Sequence, residues 1–427
     1  MKDIEPVEME RRIWVQDRIL DVLRRYGFKI VEPTPIENLE TLEAKCGPDI
    51  RSEIYWFKDK AGRNLGLRFD LTVGMTRMVA NRFDLPEPIK ICAVAGMWRY
   101  DEPQFARYRF FHQWDAEIYG SAEPEADADA ICVGMDVLEN VGLREYEVRI
   151  NNRKLVEGFL RRIGITQLDQ VESVIRVVDK LRKIPRSAFL GELRKTGLEG
   201  STLQRVLDFV EVSGEPDEVL SRLKEFLGGD EDQAMRGYDE LVRLFDVLEG
   251  FGRVRRCILD MSTVRGIGYY DGIVFEAFDK GSEDIGAVFG GGRYDKLSQI
   301  YGKRDIPATG VAGGIERLMI SLERSSAMPG LPSVPRVFVA AVNETSRRKV
   351  WDIVQRLRDK GYSVDFDLRK RSLRGQMEYA DSVKIPFVVI VGPKEIARGV
   401  VKVRDTARRS EVEVEVERIN EAVSASS

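Results

Sequence analysis

The residue types best suited to chemistry are concentrated in Gly96–Gly120, GMWRYDEPQFARYRFFHQWDAEIYG. Arg99, Arg107 and Arg109 flank a polar turn around Glu102–Ala106. Alternate residues of an extended strand share a face. On the outgoing strand, Arg107, Arg109, Phe111, Gln113, Asp115 and Glu117 therefore fall on one side, and His112, Trp114, Ala116 and Ile118 on the other. The first face offers guanidinium groups, a ring, an amide and carboxylates. The second is mostly apolar and reads as core. A guanidinium fork matches phosphate oxygens, so one reading is a polyphosphate site. A salt-bridged hairpin exposed to water is the other.

Three further segments carry related signals. In Val264–Gly272, VRGIGYYDG, Arg265 sits among glycines that permit close approach of a backbone or ligand, with Tyr269 and Tyr270 following. A turn with two packing tyrosines is the plainer account. In Phe289–Asp295, FGGGRYD, three consecutive glycines would leave backbone N–H groups open to a ligand, or form an ordinary loop. Gly310–Leu318, GVAGGIERL, is a Gly-rich strand running into a helix with Glu316 and Arg317 at its start. No G-x-x-x-x-G-K-[ST] loop occurs, nor a G-x-G-x-x-G between strand and helix, so P-loop and Rossmann nucleotide binding are excluded.

Composition narrows the chemistry. The chain has 427 residues and one histidine, His112. Paired-histidine zinc sites are excluded, and histidine acid–base catalysis could run only through His112. Strand alternation turns His112 toward Trp114 and Ile118, as a packed structural residue. The cysteines, Cys46, Cys92, Cys132 and Cys257, form no C-x-x-C pair and read as reduced thiols of a cytoplasmic protein. No apolar run reaches the roughly 18–20 residues of a membrane span, and Met1–Arg12 is charged, unlike a signal peptide. From Pro335 onward there are 19 Lys+Arg against 14 Asp+Glu, a net of +5, leaving −9 on the rest of a chain whose total is −4. A basic C-terminal segment is either a solvated surface or a nucleic-acid-facing module.

The elements that would position these residues follow from periodicity. Helical spacing covers Glu8–Tyr26, Thr72 opens another helix, and Glu125–Val141 is a third. Strands are expected at Lys29–Glu32, Ile54–Phe57, Leu65–Phe69, Ile89–Ala95, Glu145–Asn151, Arg255–Asp260, Gly272–Ala277 and Ala287–Phe289, with a hairpin over Met97–Tyr119. Between Arg153 and Gly252 only amphipathic helices appear, Val171–Ile184 among them. The segment SSAMPGLPSVP, Ser325–Pro335, reads as a linker. Beyond it, β/α alternation predicts an α/β domain of about 90 residues, with Glu411–Glu417 a half-buried strand.

Taken together and in this order, these segments resemble histidyl-tRNA synthetase, a class II aminoacyl-tRNA synthetase. Trp98–Gln113 resembles class II motif 2, Gly310–Leu318 resembles motif 3, and Pro35 falls where motif 1 has its proline. VRGIGYYDG and FGGGRYD resemble two segments particular to the histidyl enzymes. The resemblance implies an α+β catalytic domain on an antiparallel sheet, the class II synthetase fold, over residues 1–324, with a helical insertion at about 153–252. A linker at 325–335 and an anticodon-binding α/β domain at 336–427 would follow.

The implied activity is that of a histidine–tRNA ligase, which makes histidyl-adenylate from L-histidine and ATP and transfers histidine to the 3′ end of tRNA(His). Arg99 and Arg265 would be the catalytic pair at the α-phosphate. Asp101, Arg107, Phe111 and Arg317 would complete the ATP site, with Phe111 on the adenine and Arg107 at the distal phosphates. Asp70, Thr72, Gln113, Glu117, Tyr269 and Tyr270 would bind histidine, Glu117 and Tyr270 pairing the imidazole. Magnesium would enter with ATP, with no side-chain metal site and no tightly bound cofactor. Arg369, Lys370, Arg371 and Arg374 would meet tRNA phosphates, and the enzyme would be a cytoplasmic homodimer without membrane attachment. The sequence departs from the family pattern at Gly268, at Asp101–Glu102, at Trp114–Asp115, and in its short N-terminal segment. A non-catalytic paralogue, the regulatory subunit of ATP phosphoribosyltransferase, is the alternative, as is a tRNA-binding sensor. Retention of Arg99, Arg265 and Arg317, and of the domain after Pro335, stands against both.

Overall fold

The structure, a computed structural model, describes residues 3–44, 48–100, 102, 105–227, 232–265, 269–302, 304–331 and 334–424. It comprises two compact units, Met1–Pro329 and Gly330–Ser427. The boundary falls within the Pro- and Gly-bearing segment after the helix Ile315–Arg324, and Ala327 and Met328 still pack on the core of the first unit. Among the described residues no helix is long and apolar enough to cross a membrane.

In the first unit the strands run β1 (Lys29–Ile30), β2 (Ile36–Asn38), β3 (Trp56–Lys58), β4 (Asn64–Leu67), β5 (Ile89–Trp98), β6 (Phe110–Tyr119), β7 (Tyr146–Asn152), β8 (Ser213–Gly214), β9 (Cys257–Asp260), β10 (Ile273–Asp279), β11 (Phe289–Arg293) and β12 (Ala308–Gly314). A nine-stranded sheet has the order β1-β5-β6-β12-β11-β10-β7-β9-β8, and β2, β4 and β3 form a small sheet beside it. The large sheet is antiparallel except where β1 meets β5 and β7 meets β9.

The β5–β6 hairpin pairs Ile89 with Tyr119 through to Trp98 with Phe110. The incoming strand thus begins well before Met97. The connection is also longer than expected, so Arg107 and Arg109 precede β6 instead of standing on it. Alternation holds from Phe111 onward. Trp114, Ala116 and Ile118 join the main core, shared with the helices Pro6–Arg25 and Pro124–Val141. Burying a large apolar side chain stabilises by about 1.5–3 kcal/mol. A one-residue slip would expose all three and push Gln113, Asp115 and Glu117 into the core, so burial fixes the register.

The insertion comprises the helices Arg153–Arg162, Leu168–Val178, Arg186–Lys195, Gly200–Val210, Pro216–Leu227 and Gln233–Gly250. It is not purely helical, because β8 interrupts it and pairs with β9 at the sheet edge. The second helix ends at Val178 rather than Ile184, and the turn that follows carries Arg182 and Lys183.

The second unit contains β13 (Val337–Ala341), β14 (Val364–Phe366), β15 (Phe387–Val391), β16 (Val400–Asp405) and β17 (Ser410–Glu415) in the order β14-β13-β15-β16-β17. The first three are parallel, as β/α connections require, and the last two return antiparallel. Val337, Val339 and Val389 pack with Ile353, Val354 and Leu357 on one face. Phe338, Ala340 and Val388 pack with Ala380 on the other. β17 is the outer edge and Val412 stays 51% exposed, so this alternating stretch is less buried than its pattern predicts.

Candidate functional site

A cavity of about 1160 Å³ opens in the first unit over β6, β12, β11 and β10. Its lining contains Asp70, Thr72, Arg99, Arg107, Phe111, Gln113, Glu117, Arg265, Tyr269, Tyr270 and Arg317. Residues from segments more than 200 positions apart therefore converge on one space, as the motifs imply. Asp101, Gly268 and Cys46 lie outside the described residues. Arg109 is not in the lining; its guanidinium stacks 4.5 Å over the Tyr100 ring.

One part of the cavity is cationic. Arg99 donates from Nε to the Phe69 carbonyl at 2.9 Å and lies 5.0 Å over the Phe111 ring. Arg317 donates from Nε to the Ala106 carbonyl and from Nη1 to the Ala287 carbonyl, both at 3.2 Å. Burial, then the neighbouring Arg107, Arg99 and Arg265, pull the Arg317 pKa below its usual range. Like charges held together in a partly desolvated space favour an anionic ligand, whose arrival relieves the repulsion.

Arg265 is held differently. Its backbone is left-handed, with φ +53°, a conformation costly for a residue with a Cβ and found where function demands it. Its guanidinium donates to Glu276 Oε1 at 3.1 Å and to the Tyr270 hydroxyl at 3.4 Å. Burial lowers its pKa, but Tyr270 and Glu276 more than offset that, so the group stays charged.

The floor is lined by carboxyl groups. Asp70 caps the helix Leu71–Ala80, accepting the Thr72 backbone N–H at 2.7 Å. The Thr72 hydroxyl donates to Asp115 Oδ2 at 3.4 Å, and the Gln113 amide donates to the same oxygen at 3.3 Å. Glu117, 1% exposed, accepts the Tyr294 hydroxyl. Burial raises the Glu117 carboxyl to about 7 despite that hydrogen bond. Burial, with Glu117 and Asp70 nearby, raises Asp115 well above the usual carboxylate range. Tyr269 and Tyr270 pack with ring centroids 4.6 Å apart and planes inclined at 46°, and burial raises both phenols.

The glycines have a use other than the one expected. Gly290, Gly291 and Gly292 belong to β11, paired on both sides with β10 and β12. Their backbone groups sit in ladders and are not offered to a ligand. What they provide is room. A Cβ on Gly290 would collide with the Arg265 guanidinium, and one on Gly310 with the Glu117 carboxylate. Two glycines thus make room for a guanidinium and a carboxyl group of the cavity lining.

Sequence reasoning missed several participants. Asp115 stood on the correct face but was given no role. Tyr294, in FGGGRYD, turns out to position Glu117. Glu276 pairs with Arg265, and alternation along β10 was the available signal. Arg182 and Lys183 of the insertion also line the cavity, a placement with no local signature. His112 is outside the lining, as expected, and is held by Glu316 at 3.2 Å and by Arg12 at 3.0 and 3.3 Å.

The geometry can be set beside known proteins. A family description of histidyl-tRNA synthetase matches residues 1–318, and one of an anticodon binding domain matches 336–426. A curated histidine–tRNA ligase of Pyrococcus furiosus is 36% identical, over 98% of this chain and 96% of its own length. One from Pyrobaculum arsenaticum is 37% identical, over 97% and 95%. The crystal structure of histidyl-tRNA synthetase from Nostoc sp. PCC 7120 has a TM-score of 0.85 at 28% identity, covering 99% of this chain and 97% of that one.

Proposed function

The chain belongs to the histidyl-tRNA synthetase family and is a histidine–tRNA ligase, and from that premise we propose how its cavity divides the substrates. The arginine rim takes ATP. Arg99 and Arg265 meet the α-phosphate, Arg107 the distal phosphates, Arg317 the opposite side of the nucleotide, and Phe111 stacks on adenine. Asp101 is assigned to the same site by resemblance alone. Magnesium arrives on the β- and γ-phosphates as part of the substrate, since it bridges phosphate oxygens and keeps several waters.

The carboxyl-lined floor takes L-histidine. Asp70, Thr72 and Gln113 receive the ammonium group. Glu117 and Tyr270 pair the imidazole, and Tyr269 closes the side of the pocket. This leaves the substrate carboxylate directed toward the rim. Its attack on the α-phosphorus forms the carboxyl–phosphate bond and expels pyrophosphate. Two anions meet in that step, and charge builds on the equatorial oxygens. Fixed guanidinium groups stabilise it where it develops, without proton transfer from the protein. A hydroxyl at the 3′ end of tRNA(His) then takes the histidyl group, breaking the carboxyl–phosphate bond and releasing AMP, and the second unit binds the anticodon of that tRNA. A cytoplasmic homodimer without a tightly bound cofactor completes the proposal, and these last features rest on family membership.

The observation that carries this division is a single cavity lined both by Arg99, Arg107, Arg265 and Arg317 and by Asp70, Asp115 and Glu117. ATP–pyrophosphate exchange with each amino acid in turn tests it. Exchange should depend on histidine alone. Its absence in folded protein would overturn the assignment.

A further inference from the structure

Asp115 is 0% exposed, and its Oδ1 has no hydrogen-bond partner. It lines the cavity between Gln113 and Glu117 on β6. Its other oxygen accepts from both Thr72 and Gln113. The Gln113 amide is thereby fixed with its NH₂ on Asp115 and its carbonyl oxygen 3.5 Å from Arg99 Nη2. Asp70, Asp115 and Glu117 converge here, and among the described residues none of the three is in an ion pair. Three buried carboxylates without a cation are costly. A cationic ligand would relieve that cost.

Resting on the proposed histidine site, we propose that Asp115 determines specificity for the substrate's amino group, orienting Gln113 and supplying the negative charge that the ammonium neutralises. Its two partners, Thr72 and Gln113, both belong to the ammonium set, which separates its role from that of Glu117 at the imidazole. The titratable and charged groups facing it are Asp70 before the helix Leu71–Ala80, Glu117 along β6, and Cys92 on β5, with Arg99 reaching it through Gln113. In the empty pocket burial and the neighbouring Glu117 and Asp70 favour a proton on Asp115. Ammonium binding releases that proton to solvent and leaves the carboxylate charged.

Two ligands that share the imidazole isolate the amino group. Histidinol keeps the ammonium and lacks the carboxylate, whereas imidazolepropionate keeps the carboxylate and lacks the ammonium. Asp115→Asn should weaken histidinol by roughly 10- to 100-fold and leave imidazolepropionate within about threefold. A packing role would move both alike, and equal losses would overturn the proposal. If the variant does not fold, calorimetry of the wild-type chain in buffers of different ionisation enthalpy decides. Histidinol should release more protons than imidazolepropionate, and equal release would count against Asp115. Wild-type protein without histidine-dependent exchange would instead fail the underlying site assignment.

Discussion

A single methyl group placed at either of two glycines should damage different halves of the reaction. At neither Gly290 nor Gly310 is the backbone in the left-handed region, so alanine is tolerated conformationally and its effect is steric. At Gly290 the new Cβ meets the Arg265 guanidinium, which must leave its place on Glu276. Losing one fixed donor to a developing charge costs about 100- to 1,000-fold in rate. A displaced arginine keeps part of its field, so Gly290→Ala should lower kcat by roughly 100-fold with histidine affinity nearly unchanged. At Gly310 the Cβ meets the Glu117 carboxylate. Disturbing a charged hydrogen bond costs about 1.5–3 kcal/mol, so histidine affinity should fall roughly 10- to 150-fold, with a smaller loss in kcat. Both collisions involve ends of flexible side chains. The nearest carbonyls stand at 3.2 Å from the Gly290 Cβ and 3.0 Å from the Gly310 Cβ. Stability should therefore fall by no more than about 1–3 kcal/mol. Pyrophosphate exchange gives the kinetic terms, direct histidine binding separates affinity from KM, and thermal unfolding reports folding. Arg265→Ala supplies the control, and adding Gly290→Ala to it should cost little more. Identical kinetic profiles for the two alanine variants, or full additivity with Arg265→Ala, would refute the cradle reasoning.

Three other outcomes follow from the structure. Glu117 titrates near 7 in the fold against 4.5 ordinarily, so the native chain binds more protons across that window and loses stability as pH rises through it; denaturant unfolding from pH 5 to 8 should show this fall in wild type and a shallower one in Glu117→Gln. His112→Ala should cost about 1–3 kcal/mol of stability through its lost partners while leaving histidine affinity intact, as unfolding and binding measurements would show. Arg369 and Lys370 are exposed, whereas Arg371 is paired with Asp367 and Arg374 with Glu378; replacing Arg369 and Lys370 with Gln should weaken aminoacylation and flatten the salt dependence of tRNA binding without changing pyrophosphate exchange.

The cavity was legible from the sequence wherever a local period decided the matter. Along β6 a period of two places Phe111, Gln113 and Glu117 on one face, and burial of Trp114 and Ile118 fixes which face that is. The helix start at Thr72 was legible in the local sequence, whereas the Asp70–Thr72 pair came from family resemblance and the capping bond between them only from the structure. What failed depended on distant partners. Three glycines in a row look the same in an exposed loop and in a central strand. Only the neighbours β10 and β12 decide between them, and Arg265 explains the missing Cβ. Arg109 was misplaced because periodicity was extended into a turn that begins before Phe110. The insertion read as helical because a two-residue strand such as β8 leaves no periodic trace.

The one histidine marks how this site divides support from chemistry. Its Nδ1–H can donate to Glu316 while Nε2 accepts from Arg12, and its backbone N–H donates to both Glu316 oxygens at 2.9 Å. Glu316 precedes Arg317 at the start of the helix Ile315–Arg324. His112 therefore joins the strand that carries Phe111 and Gln113 to the helix that carries Arg317. Loosening this joint would move a rim arginine relative to the hairpin and leave the carboxylate floor in place. Activation of a carboxylate by a nucleotide asks for charges at fixed distances and for no proton donor from the protein. Arginines meet that demand because they stay charged throughout the physiological range. A titrating imidazole among them would add a cation only below neutrality. Its place behind the strand, hydrogen-bonded and outside the cavity, follows from the chemistry at the front.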